Sequence, residues 1–267
     1  FRPQALPLCQ PVGLLSEQPI AQRPARVLLR QPEQEGAMGK HLELTPRLRQ
    51  IAAWVRQGAH LADVGTDHAY LPVWLTLQGR VASAIASDLR RGPLDRARET
   101  GRRYGVGDRI TFRLGNGLAA VAPEECDTIV IAGMGGLMIL SILDAADFIR
   151  TANLRLILQP MQHIPELRRY LSDGWQVEKE AIAEEGGKLY QILCVRYDGV
   201  KRELSALELL LGSYTLAHKR EIPLFPALCE RQAAVLSEKI TGLEKGGHDA
   251  SAEKEMLLAI RAELADI

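Results

Sequence analysis

The sequence predicts an α/β fold, in which a mostly parallel sheet of seven strands carries helices on both faces and a smaller helical region follows. Apolar strand-like runs and helical patterns alternate five times between residues 60 and 171, which is typical of a parallel sheet. Two longer strand-like runs then flank Glu185-Gly186-Gly187, as in an antiparallel hairpin. After Gly199 the strand signals stop and only helical patterns remain.

The first element is predicted to be a helix, because apolar residues recur at helical spacing from Leu44 to Val55. Thr45 is expected to cap it, Pro46 to occupy its first turn and Gly58 to stop it. The strands that follow are short apolar runs, predicted at residues 60–64, 82–87, 110–114, 128–132 and 154–158. The helices between and after them are predicted at residues 70–77, 93–104, 136–145 and 164–171.

The closing strands are predicted at residues 175–183 and 188–197, and the C-terminal helices at 203–220, 226–243 and 252–265. We expect these helices to form a small hairpin or bundle. Residues 1–37 contain six prolines, and their apolar residues follow neither helical nor strand spacing, so we predict a flexible N-terminal extension there. The expected organisation is therefore an extension (1–37), an α/β domain (38–199) and a helical C-terminal domain (200–267).

Composition excludes several classes of protein. Lys and Arg together number 33, as do Asp and Glu, so no global charge favours nucleic acid or membrane, and such a partner must be recognised by local patches. The four cysteines are scattered without metal-ligand spacing, which predicts no metal site, free thiols and a cytoplasmic location. The sequence has no apolar run near the ~20 residues that a membrane span needs.

The first strand ends in a loop that combines two carboxylates with one glycine: Asp63, Gly65 and Asp67. Ligands of open α/β sheets bind at the carboxyl ends of the strands, so this loop is a candidate site. A dinucleotide site requires a glycine-rich fingerprint that places pyrophosphate on a helix N-terminus. Two carboxylates instead suit the sulfonium and ammonium groups of S-adenosylmethionine, although Asp67 can also be a plain helix cap.

Two further strand ends carry polar side chains at suitable positions. Asp88 ends the second strand, where an acid can accept both ribose hydroxyls of an adenosine ligand or can cap the following helix. Asn116 follows the third strand between two glycines, and its side chain can bond an adenine edge or stabilise a turn.

A glycine-rich turn follows the fourth strand and contains Gly133, Met134 and Gly135. Such a turn lets a flat ring approach the backbone, at the position where a methyl group would be presented to its acceptor. The alternative is a packing constraint where helix meets sheet. Together, the ends of the first, second and fourth strands predict a pocket for S-adenosylmethionine.

Several of these segments resemble the bacterial TrmK family, whose members methylate N1 of adenine 22 in tRNA. The matching segments are Asp63–Pro72, Ala86–Leu94, Gly115–Leu118, Ile131–Gly136, Leu156–Pro160 and Glu184–Ile192. The resemblance implies a Rossmann-like class I methyltransferase domain followed by a helical, coiled-coil-like domain. It also implies tRNA as the partner and a cofactor site lined by Asp63, Gly65, His68, Asp88, Asn116 and the turn of Gly133, Met134 and Gly135.

Methyl transfer to adenine N1 needs positioning, desolvation and a group near N6 that stabilises the cationic product or accepts a proton. The candidates are Asp67, His68, Tyr70 and Gln159. His68 can instead make a structural hydrogen bond in the cofactor loop. Tyr70 can stack on an exposed adenine, or can equally be a core residue.

Phosphate contacts are expected on the arginine-rich stretch 90–113, which holds eight arginines against three acids. Arg91, Arg102 and Arg103 are the candidates for substrate binding there. Ion pairs of Asp95 with Arg98 and of Glu99 with Arg102 are expected to occupy part of that helix face. A small-molecule methyltransferase and a non-enzymatic RNA-binding protein are the alternatives. We expect a monomer or a weak homodimer.

Overall fold

The computed structural model describes residues 41–151 and 153–267. The predicted N-terminal extension lies outside the described residues. The seven strands are β1 (Ala59–Val64), β2 (Val81–Asp88), β3 (Ile110–Leu114), β4 (Thr128–Met134), β5 (Arg155–Pro160), β6 (Asp173–Glu185) and β7 (Lys188–Lys201). The helices are α1 (Pro46–Trp54), α2 (Tyr70–Leu77), α3 (Arg91–Arg103), α4 (Gly136–Asp144), α5 (Ile164–Leu171), α6 (Ala206–Leu211), α7 (Ser213–Ala217), α8 (Phe225–Lys245) and α9 (Ser251–Ala265).

The seven strands form one sheet in the order β3-β2-β1-β4-β5-β7-β6. Strands β1 to β5 pair in parallel, whereas β7 is antiparallel to both β5 and β6. The predicted fold class, a mostly parallel α/β sheet closed by an antiparallel hairpin, is therefore confirmed. This order places the end of β1 between the ends of β2 and β4.

Both faces of the sheet are buried, because successive residues of a strand point to opposite sides. Val130 and Ile157 pack on one face with Ile51 of α1, in a cluster that α2 and α3 also cover. Ile131 packs on the other face with Ile139 of α4, in a cluster that extends to α5. The five parallel strands are thereby packed on both faces, and this packing positions the loops at their carboxyl ends.

Two details of the first helix differ from expectation. Thr45 is at the capping position of α1, but its side chain makes no capping hydrogen bond. The helix ends at Trp54, before Gly58, because Val55 already has an extended backbone.

The prediction of one helix over residues 203–220 is wrong. The chain forms α6 and α7 there, separated by Gly212, which has a φ of +99°. The backbone of Gly212 lies against the side chains of Glu180 and Arg168, and a Cβ atom at this position would collide with both. The helix is therefore interrupted at the point where the chain passes this pair. The predicted pair of later helices is observed as α8 and α9, and the domain boundary at 199/200 stays a prediction.

The C-terminal helices pack on the tip of the β6–β7 hairpin. Phe225 and Ile260 form the centre of a separate apolar cluster, which Ile182 of β6 and Leu189 of β7 join. In the described part of the chain, no helix is long and apolar enough to cross a membrane.

Candidate active site

The carboxyl ends of β1, β2 and β4 converge on a cavity of about 440 Å³. The lining includes seven of the residues that the sequence predicted: Gly65, Asp67, Asp88, Asn116, Gly133, Met134 and Gly135. A second cavity of about 380 Å³ adjoins it, sharing Gly65, Asp67, Ala132 and Gly133 with the first. Asp63, His68 and Tyr70 line this second cavity. These two adjoining cavities together make up the cleft at the carboxyl ends of the strands.

Gly65 makes the first turn of this cleft possible. Its φ of +75° lies in the left-handed region, and its amide donates to the Ser87 carbonyl oxygen of β2 at 2.8 Å. A Cβ atom at this position would collide with the Met134 side chain. Only glycine therefore lets the loop after β1 lie against the glycine-rich turn at the end of β4, in which Gly133 and Met134 are the last residues of the strand and Gly135 follows it.

Asp63 is a buried carboxylate whose only hydrogen bond from the described residues is donated by the Thr66 hydroxyl, at 2.6 Å. Burial raises its pKa from 3.8 to about 6, the Thr66 hydrogen bond opposes this rise, and the nearby Asp88 carboxylate adds to it. Within the described chain no cation pairs with Asp63. Such a carboxylate is stabilised by a cationic ligand.

Asp88 ends β2 and is also buried. Its Oδ1 accepts the Arg90 amide at 2.9 Å. Arg90 is at the N-cap position of α3 and no side chain makes a capping hydrogen bond there, so Asp88 is not the cap of this helix. The described residues donate no hydrogen bond to Oδ2, which remains for a ligand. Asn116 lies exposed beside the same cavity and makes no capping hydrogen bond.

The turn after β4 is fixed by a buried side chain from the neighbouring strand. Gly133 donates its amide to Gln159 Oε1 at 3.0 Å. Met134 accepts the Met161 amide at 2.7 Å, and the Gly136 amide donates to the Gln162 carbonyl oxygen at 2.7 Å. Gly136 is packed against the backbone of His163, so the packing alternative holds for this one glycine. Gly133, Met134 and Gly135 face the cavity.

The prediction that Gln159 contacts the substrate does not agree with its position. Its side chain is fully buried and lines neither cavity. Oε1 accepts hydrogen bonds from Arg47 at 2.7 Å and from Gly133, while Nε2 donates to the Pro160 carbonyl oxygen at 2.8 Å. Gln159 therefore positions the turn after β4 from the buried side, away from both cavities.

The other catalytic candidates lie together at the mouth of the second cavity. Asp67, with a left-handed φ of +42°, accepts a hydrogen bond from Arg96 of α3 at 2.6 Å and is not the cap of α2. His68 Nε2 lies 3.7 Å from Asp67 Oδ2. The His68 and Tyr70 rings are stacked with centroids 5.2 Å apart, and Tyr70 is 41% exposed, so it is not a core residue.

The three arginines that were predicted to bind the substrate, Arg91, Arg102 and Arg103, lie on the exposed face of α3 and line neither cavity. Arg98 pairs with Asp95 at 3.2 Å, as predicted. Glu99, however, pairs with Arg103 at 3.0 Å and not with Arg102, because the four-residue spacing brings those side chains together. Among the described residues, Arg91 and Arg102 have no acidic partner.

Arg47 of α1 is a residue of the cleft that sequence reasoning missed. It lines the second cavity, donates to Gln159, and places its guanidinium carbon 5.4 Å from the Tyr190 ring centroid. Its Nε lies 3.6 Å from Glu185 Oε2 of the β6–β7 hairpin. Its contact with Gln159 spans 112 residues of chain, so no local pattern in the sequence marks Arg47.

Apolar side chains surround the mouth of the cleft. Leu89 is 63% exposed and Met138 58% exposed, and both line the first cavity. Leu137 in the first turn of α4 and Met161 directly after β5 are also exposed. Flat heterocyclic rings can pack on such a rim. The described residues contain no cluster of side chains suited to a metal ion.

Comparison with known proteins agrees with this geometry. A family model described as "Methyltransferase domain" matches residues 44–193. The tRNA (adenine(22)-N(1))-methyltransferase of Bacillus subtilis is 36% identical over 189 residues, which cover 68% of this chain and 78% of the relative.

Solved structures extend the likeness to the C-terminal helices. Streptococcus pneumoniae Sp1610 in complex with S-adenosyl-L-methionine matches with a TM-score of 0.73 and 37% identity, covering 83% of this chain and 100% of that chain. The Bacillus subtilis M1A22 tRNA methyltransferase TrmK matches with a TM-score of 0.69 and 30% identity, covering 84% and 97%. The predicted resemblance is confirmed, and the chain belongs to the TrmK methyltransferase family.

Proposed function

We propose that this chain transfers a methyl group from S-adenosylmethionine to N1 of an adenine in tRNA, at position 22. The observation that carries the proposal is the cleft shared by the ends of β1, β2 and β4. There Asp63 and Asp88 each keep a carboxylate oxygen without a partner among the described residues, beside the turn at Gly133. The relatives named above act on tRNA or bind this cofactor.

The polar groups of the cleft fit S-adenosylmethionine. Asp88 Oδ2 would accept the ribose hydroxyls, and Asn116 would bond the adenine edge between the apolar side chains of Leu89 and Met138. Asp63 would pair with the positive amino-acid end, which removes the cost of its buried charge. Gly65 and Gly133 leave room for the ligand to lie against the backbone.

When bound, the cofactor would supply its sulfonium methyl group to the adenine N1 lone pair, and S-adenosylhomocysteine would be the leaving group. The chain's task is to hold the base and to exclude water. Tyr70, already parallel to His68, would stack on the base after it leaves the tRNA fold. His68 would accept the proton lost from N6. Asp67, held by Arg96, would then stabilise the protonated imidazole of His68.

tRNA would be held by phosphate contacts on α3. Arg91 and Arg102 are exposed without acidic partners in the described chain, and Arg96 links this helix to the loop of Asp67. We infer a cytoplasmic enzyme that acts as a monomer or a weak homodimer, in which 38–199 is the methyltransferase domain and 200–267 a helical domain.

Methyl transfer to tRNA tests this proposal. Unmodified tRNA is incubated with the purified chain and labelled S-adenosylmethionine, and the modified position is mapped by reverse transcription, which stops at N1-methyladenine. The expected result is label in tRNA and a stop at adenine 22. Label in a small metabolite and none in tRNA would overturn the proposal, as would a stop elsewhere.

A further inference from the structure

Gln162 lies against the glycine-rich turn at the end of β4, although it lines neither cavity. A Cβ atom at Gly135 would lie 3.4 Å from Gln162 Nε2 and 3.6 Å from its Cγ, so the side chain covers this glycine. The residue is exposed, and within the described chain its side-chain amide has no hydrogen-bond partner. A free amide group is therefore present at the outer side of the turn.

The loop that carries Gln162 is held closely to the turn. The Met161 amide donates to the Met134 carbonyl oxygen, and the Gly136 amide donates to the Gln162 carbonyl oxygen, both at 2.7 Å. A Cβ atom at Gly136 would collide with the carbonyl oxygens of Gln162 and His163. His163 itself has a left-handed φ of +56°, which is costly for a residue other than glycine. The backbone of Gln162 is thus fixed relative to the turn, and a ligand has only the side-chain torsions to order.

The acceptor base must approach this turn from the solvent side. With the adenosine part of the cofactor at Asp88 and Asn116, the methyl group would lie near Gly133, which both cavities share. N1 of the base must point at this methyl group, in line with the bond that breaks. The N1 edge then faces the cleft, and the edge that carries N7 is left for a group on the outer side of the turn.

We propose that Gln162 recognises the target adenine through N6 and N7. Its Oε1 accepts one N6 hydrogen and its Nε2 donates to N7, the pair of hydrogen bonds that a glutamine side chain makes with adenine. The amino group has two hydrogens, so the one beside N1 is left for His68. Guanine presents two acceptors at these positions, and Oε1 would face an oxygen. This inference rests on the proposed function, because it names a contact that selects the base.

A ribose hydroxyl or a phosphate oxygen of the RNA is the other partner open to an exposed amide. A neutral amide is a weaker phosphate ligand than an arginine, and exposed arginines are present on α3. The position of Gln162 beside Gly135 favours the base instead. Bases that leave an RNA fold are typically read by side chains along their edges.

A tRNA that carries 7-deazaadenine at position 22 tests the proposal, because a C–H group replaces N7 while N1 and N6 remain. The kcat/KM for methyl transfer to this tRNA and to the adenine tRNA is measured with the wild type, Gln162→Leu and Gln162→Glu. The control is Gln78→Leu, which changes an exposed glutamine at the C-terminal end of α2.

The wild type should lose about 10-fold in kcat/KM on the 7-deazaadenine tRNA, and Gln162→Leu about 10- to 100-fold on the adenine tRNA. Gln162→Leu should then use the two tRNAs within about twofold of each other, because the contact is already lost. Gln162→Glu keeps the N6 acceptor but not the N7 donor, so it should also lose the preference for adenine. Gln78→Leu should match the wild type on both tRNAs. All variants should bind S-adenosylmethionine within about threefold of the wild type.

Three results would overturn the proposal. Equal kcat/KM of the wild type on the two tRNAs would exclude a contact with N7, even if the Gln162 variants did not fold. Full activity of Gln162→Leu on the adenine tRNA would exclude any role of the side chain. A less active Gln162→Leu protein that keeps the wild-type preference for adenine would assign the amide to the RNA backbone. Failure of the wild type to methylate the adenine tRNA would instead refute the proposed function.

Discussion

Gln159 Oε1 accepts the Gly133 amide at 3.0 Å from a position with no solvent exposure. The same oxygen accepts Arg47 Nη1, so one buried side chain links α1 to the turn after β4. This turn borders both cavities, and its geometry depends on a residue that touches neither.

Replacing Gln159 by Met should lower stability and affinity together. The change leaves the Gly133 amide without its acceptor, which costs about 1–3 kcal/mol of unfolding free energy. Denaturant unfolding and calorimetry with S-adenosylmethionine measure both effects, and Gln162→Met, on the exposed neighbouring loop, is the control. A variant with unchanged stability and affinity but a lower kcat would restore Gln159 as a catalytic residue.

Asp63→Asn should make the unliganded protein more stable at pH 8. The pKa of Asp63 is about 6 in the folded chain against its ordinary value of 3.8, so protonation favours folding and this stability is lost as pH rises through 6. The ionised carboxylate then costs about 2–3 kcal/mol, at about 1.4 kcal/mol per pKa unit. Thermal unfolding should show the gain at pH 8, with no gain below the unfolded pKa.

The same substitution should weaken binding of S-adenosylmethionine about 10- to 100-fold at pH 8, because the ammonium loses its charged partner. Wild-type affinity should fall as pH drops through about 6, where Asp63 becomes neutral. Calorimetry of both proteins from pH 5 to pH 8 measures this. An Asp63→Asn protein with the wild-type affinity and pH dependence would remove Asp63 from the cofactor site.

Arg91→Ala and Arg102→Ala should each weaken tRNA binding more than Arg103→Ala, because Arg103 is neutralised by Glu99 at 3.0 Å. Each lost phosphate contact should lower the slope of log affinity against log salt by about 0.7–0.9. Filter binding across a salt series checks this, with Arg231→Ala on α8 as the control. Equal effects of all four substitutions would contradict a tRNA surface on α3.

Arg168→Met should strongly destabilise the chain. Arg168 Nη2 donates to Glu180 Oε1 at 2.7 Å with both side chains buried, and Nη1 donates to the carbonyl oxygens of Leu209 and Leu210 in α6. Removing one partner of a buried pair costs about 3–5 kcal/mol. Denaturant unfolding measures the loss, and Arg169→Met, an exposed neighbour, should be near neutral. A loss below about 1 kcal/mol would contradict this role of the pair.

The sequence was informative where a signal is local. Strand β1 and its loop are a continuous apolar run followed by Gly65, so both the element and the turn are predictable. Arg47 had no such signal, because it contacts Gln159 across 112 residues of chain. The break at Gly212 was missed for the same reason, since it depends on the approach of Glu180 from β6.

Calorimetric binding of S-adenosylmethionine to the wild type and to Asp88→Ala tests the central claim, that the ends of β1, β2 and β4 form a site for this cofactor. We expect the wild type to bind and Asp88→Ala to bind about 10- to 100-fold more weakly, because the ribose hydroxyls lose a charged acceptor. A wild type that does not bind, or an Asp88→Ala variant that binds equally well, would contradict it.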